Sequence, residues 1–123
     1  MKPDTAGLGA LSEKVAKARK PSRPLFAEVW FATTGKQDAN TKARFAFFMQ
    51  ANAWMDAALM AVAHALPEWG VVTRVGPGPG EAKLQPPGLG HGKRPSGLET
   101  VRHPGGAALA ILQAMLHAKV ERH

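Results

Sequence analysis

The chain has 123 residues, 45% hydrophobic and 20% charged, which is enough for one hydrophobic core and too short for a two-lobed enzyme with a cleft between its lobes. Cysteine is absent, so a disulfide framework, a thiolate zinc site, an iron–sulfur cluster and a cysteine nucleophile are all excluded. Sixteen Lys+Arg against nine Asp+Glu give +7 at neutral pH, a surplus that attracts polyanions without naming one.

Near the N-terminus, Asp4 and Glu13 interrupt any apolar run that could serve in export, which predicts a cytoplasmic protein. Leu8, Leu11, Val15 and Ala18 recur at helical spacing while Lys14, Lys17, Arg19 and Lys20 fill the remaining surface, so residues 6–20 read as a short basic amphipathic helix ended by Pro21 and Pro24. Residues 1–23 are accordingly expected to form a basic N-terminal arm, and residues 24–123 one domain. The segment LFAEVWFATT, residues 25–34, is aromatic and β-branched and has strand length, which predicts a strand with Leu25, Ala27, Val29 and Phe31 on one face. Gly35 opens a polar loop, and Asp38 or Thr41 can cap the helix that follows.

No breaker interrupts residues 41–66, and Pro67 supplies a stop, so one long apolar helix is expected there. Residues 45–63 are apolar enough to raise a membrane span, but Gln50, Asn52 and Asp56 oppose it, and no membrane role is expected. At about 1.5 Å per residue such a helix is about 39 Å long, more than the diameter of about 35 Å for a compact chain of this size. The excess suggests that one end is covered by a partner, with a homodimer through the helix 41–66 as one solution.

The texture then changes. Residues 69–75 read as a strand, residues 76–80 (GPGPG) as a turn, and residues 81–85 as a second strand completing a hairpin. Residues 86–97 are too rich in Pro and Gly for a regular element. Residues 98–102 form a third short strand, and a last helix runs from Pro104 to about Val120, its first turn containing Gly105 and Gly106 for a close backbone approach. The expected class is therefore α+β: a small antiparallel sheet packed against a long central helix and a C-terminal helix, preceded by a short basic helix.

Two stretches, MDAALMAVAHALPEWGVVTRV and HPGGAALAILQAML, carry a resemblance to small phage and prophage proteins with an α/β "ABA sandwich" domain. In the first, a helix ends at Leu-Pro before a tryptophan-led strand; the second is an Ala/Leu-rich helix that closes the unit. The likeness covers residues 54–120 and implies a phage accessory role without catalytic residues. The family's closing helix usually starts with a Thr-Pro-Ala type of sequence, where this chain has His103-Pro104-Gly105-Gly106.

Candidate chemistry is sparse. Residues 88–93 (GLGHGK) fall short of a phosphate-binding loop, because the glycine before the Gly-Lys pair is one residue too close and Arg94 stands where Ser or Thr would hold magnesium. His64, His91, His103, His117 and His123 show no helical metal-ligand spacing; His64 and His117 read as partly buried helix residues. Ser12, Ser22 and Ser96 lack the sharp-turn context of a hydrolase nucleophile, and Asn52 with Asp56, four apart, read as a packing pair on the long helix. Neither a metal nor a cofactor is expected, and the protein reads as a non-enzyme.

Charge is more informative. Residues 1–44 hold nine Lys+Arg against four acids, net +5; residues 45–66 hold only Asp56; residues 67–123 hold seven against four, net +3. Lys14, Lys17, Arg19, Lys20 and Arg23 fall within ten residues, and Lys93 with Arg94 is expected to join Arg74, Lys83 and Arg102 on the sheet side. These ten residues are the candidate binding set. They suit either a host protein or ribonucleoprotein, for example one of a defence system such as CRISPR that the protein inhibits or modulates, or a nucleic acid bound directly and without sequence preference by a homodimer.

Overall fold

The computed structural model describes residues 5–34, 37–76, 78–86 and 100–121. Among these residues, five helices and three strands follow one another as α1 Thr5–Lys17, α2 Arg23–Thr34, α3 Ala39–Gln50, α4 Trp54–Ala65, β1 Gly70–Arg74, β2 Gly80–Gln85, β3 Val101–His103 and α5 Ala107–Glu121. The class is α+β, with an antiparallel sheet in the order β1-β2-β3.

The core is built around α5. Leu109, Ile111, Leu112, Met115 and Leu116 are all fully buried, and the alanines between them keep the helix thin enough to be covered on nearly every side. It packs on the sheet, on α1 and on α4. Leu8, Leu11 and Val15 of α1 belong to the same cluster, so the apolar side of the basic helix is part of the single core.

Two sequence expectations give way here. Residues 25–34 are helical, not a strand. Leu25, Phe26, Val29, Trp30 and Thr33 are the buried positions, a spacing that closes every 3.6 residues and never every two. Ser22 caps the start by accepting the Leu25 N–H at 3.4 Å, and the hydroxyls of Thr33 and Thr34 donate back to the carbonyls of Val29 and Trp30 at 2.7 Å, an arrangement only a helix offers. Burial of Trp30, stacked on Phe45 with centroids 4.2 Å apart, outweighs the local β preference.

The single helix over 41–66 is likewise two helices. Asn52 takes a left-handed φ of 58°. Its N–H donates to the Met49 carbonyl at 3.1 Å, and the Ala53 N–H donates to the Phe48 carbonyl at 2.8 Å, the paired bonds of a Schellman ending with asparagine in glycine's usual place. Each half is 12 residues long, about 18 Å. Neither half exceeds the body of the protein, and the argument for a homodimer through 41–66 loses its premise. No helix is long and apolar enough to cross a membrane among the described residues. Asn52 and Asp56 are not a packing pair either, since both are exposed and Asn52 lies outside α4.

Candidate ligand-binding surfaces

The sheet sorts its side chains by alternation. Gly80, Ala82, Leu84 and His103 face α5 and are buried, while Val72, Arg74, Glu81, Lys83, Gln85 and Arg102 share the outer face. Gly80 stands opposite His103, and a Cβ at Gly80 would overlap the backbone of Gly106 and Ala107. Glycine there lets the start of α5 rest directly on β2.

His103 fixes the N-terminal segment to this junction. The ring is 1% exposed; its Nε2 lies 2.6 Å from the Val15 carbonyl, and its Nδ1 accepts the Gly105 N–H at 2.8 Å. An acceptor at Nδ1 requires the proton on Nε2, so the neutral ring donates to the last turn of α1. Two residues beyond that turn's end, the Arg19 carbonyl sits close enough to Gly105 that a Cβ there would come within 2.9 Å. Gly105 thus makes the close approach expected of it.

These contacts hold one group of basic residues in place. Lys14 and Lys17 lie in the last turn of α1, Arg19 and Lys20 follow it, and Arg23 opens α2; all five are exposed. Lys14 is partly neutralised by Glu28 of α2, with Nζ 3.0 Å from both carboxylate oxygens. Between these helices runs a groove of about 340 Å³ whose small residues, Gly7, Ala10 and Ala32, leave the space.

A second group lies on the sheet. Arg74, Lys83 and Arg102 come to one face, as expected, around Glu81, whose Oε2 lies 3.2 Å from Arg102 Nε. Consecutive β3 side chains point to opposite faces, so Arg102 faces outward while His103 turns inward to α1. The two basic groups therefore flank β3 without merging. Lys93 and Arg94 lie outside the described residues, as do His91 and His123.

One of the two helix histidines differs from expectation. His117 is exposed, not partly buried; His64 is partly buried and meets the edge of Trp30 with centroids 5.4 Å apart. His103, which the sequence did not single out, is the buried one. Its signal was an inward position of period two beside Val101, hidden by the proline that follows. Among the described residues no three His, Asp or Glu side chains come together as a metal site.

Compared with family models, curated proteins and solved structures, the chain matches none.

Proposed function

We propose that the protein is a non-enzymatic, phage-type accessory protein that binds a host protein or ribonucleoprotein through Lys14, Lys17, Arg19, Lys20 and Arg23 and so inhibits or modulates it. The observation that carries this reading is that the cluster is anchored. His103 bonds the last turn of α1, and Gly105 meets the Arg19 backbone, so the cations between Val15 and Arg23 are carried on a fixed base. A preorganised cationic surface loses less entropy on docking than a loose tail of the same charge, and it favours one complementary acidic surface over many. The phage assignment is supported by the sequence resemblance and by the order helix, hairpin, strand, helix in residues 54–121.

Immobilised protein exposed to host lysate tests the reading. The wild type should retain a discrete target, and a variant with all five residues changed to alanine should release it while its far-UV circular dichroism is unchanged. Equal retention by both proteins contradicts the assignment.

A further inference from the structure

The outer face of the sheet holds charge that the docking surface above does not use. Register places Arg74 opposite Glu81 and Glu81 opposite Arg102, a row of three across the strands, with Lys83 two residues along β2 on the same face. Three cations against one carboxylate leave +2. Glu81 pairs with Arg102, and Arg74 has no ion-pair partner among the described residues. The row borders a cleft of about 430 Å³ at the hairpin end, lined also by Val75, Gly76 and Pro79.

The chemistry of this face selects its ligand. Guanidinium forks match phosphate oxygens two at a time, and both arginine ends are accessible, the Arg102 side chain being 73% exposed. No aromatic side chain lies on the outer face of β1, β2 or β3; its exposed apolar groups are Val72 and the adjoining Val75, so stacking of bases has no platform. Strands about 4.8 Å apart put the two arginine Cα atoms about 10 Å from each other, with Lys83 further along the same face, a row suited to successive charges of a chain. We infer that the outer face of the sheet is a phosphodiester-backbone site, at which Arg74, Arg102 and Lys83 hold consecutive phosphates of a nucleic-acid strand. Glu81 attenuates it: the carboxylate occupies Arg102 in the free protein and repels the incoming strand, so affinity is set by competition between carboxylate and phosphate for one guanidinium. This site is separate from the N-terminal surface and goes beyond its proposed role.

Fluorescence anisotropy of the full chain with a labelled single strand and a labelled duplex, at salt from about 50 to 200 mM, tests the assignment. Arg74→Ala and Lys83→Ala should each weaken binding about three- to tenfold at low salt, to the same degree on unrelated sequences, and reduce the slope of log affinity against log salt by about one. Glu81→Gln should strengthen binding. Lys42→Ala, on exposed α3, should match the wild type. Absence of binding by the wild type at low salt overturns the site, as does an unchanged affinity in Arg74→Ala and Lys83→Ala. Unchanged or weakened binding by Glu81→Gln in a protein that melts like the wild type overturns the role of Glu81; if that variant unfolds, Glu81→Asp, whose shorter side chain loosens the hold on Arg102 while the charge remains, should bind more tightly than the wild type, and equal or weaker binding overturns the role. Failure here with target retention still dependent on Lys14 to Arg23 leaves the docking surface standing.

Discussion

The carbonyl of Val15 and the imidazole of His103, 88 residues apart in sequence, meet at 2.6 Å inside the protein. Through this bond the end of α1, the edge strand β3 and the start of α5 become one junction, because the same ring accepts the Gly105 N–H on its other side.

Replacing His103 by alanine removes both bonds in a dry setting. The Gly105 N–H is left without its acceptor, while the Val15 carbonyl keeps the Ala18 N–H at 3.2 Å, so urea denaturation should show a loss of about 1–3 kcal/mol. His103→Gln, whose amide can still donate toward Val15, should lose less than the alanine variant. Equal stability of wild type and His103→Ala would show that the junction contributes nothing.

Two glycines provide a matched comparison. Gly80→Ala forces a methyl group into the backbone of Gly106 and Ala107, which must move, whereas a Cβ at Gly76 meets nothing within 4 Å. The first should cost about 3 kcal/mol or more and the second less than about 0.5 kcal/mol in thermal or urea unfolding.

The junction between α3 and α4 depends on one left-handed residue. Asn52→Gly should be neutral or stabilise slightly, because glycine adopts a φ of 58° without a Cβ penalty. Asn52→Val should cost about 1–2 kcal/mol, since a β-branched residue resists that conformation. Equal stability of wild type and Asn52→Val would contradict the account of why the long helix divides.

These residues also show what could be read from sequence. Helix α1, the hairpin, β3 and α5 were legible because their periodicity and punctuation agree. Residues 25–34 were not, because β-branched and aromatic content is a local signal, whereas the helix is decided by burial of Phe26, Val29 and Trp30 against other elements. Asn52 concealed a helix end because asparagine within an apolar, alanine-rich run looks like a tolerated polar residue; only glycine would have advertised the turn. The charge map grouped Arg74, Lys83 and Arg102, which the strand register brings to one face, while Glu81, which pairs with Arg102, drew no notice as a single acid in a basic region.

Asp38 gives a pH dependence of known sign. Its carboxylate accepts the Thr41 N–H at 2.7 Å, and this bond, aided by the Thr41 hydroxyl, holds its pKa below the ordinary aspartate value of 3.8. Because the folded pKa is the lower one, the cap's contribution is fully present above the unfolded value and is lost as pH falls through the folded value. Asp38→Asn keeps an acceptor that does not titrate. The stability difference between the two proteins should be constant from neutral pH down to about 4 and shift in favour of Asp38→Asn below that. A pH-independent difference in acid would show that the carboxylate is not the cap.

The proposal that the anchored cations form the working surface is tested most directly by amine footprinting of the protein with and without its captured target. Lysines are acetylated briefly and their modification is read by mass spectrometry. Lys17 and Lys20, both exposed in the free protein, should become protected in the complex, while Lys42 on α3 stays reactive. Undiminished acetylation of Lys17 and Lys20 in the complex, or protection confined to Lys42, would contradict it.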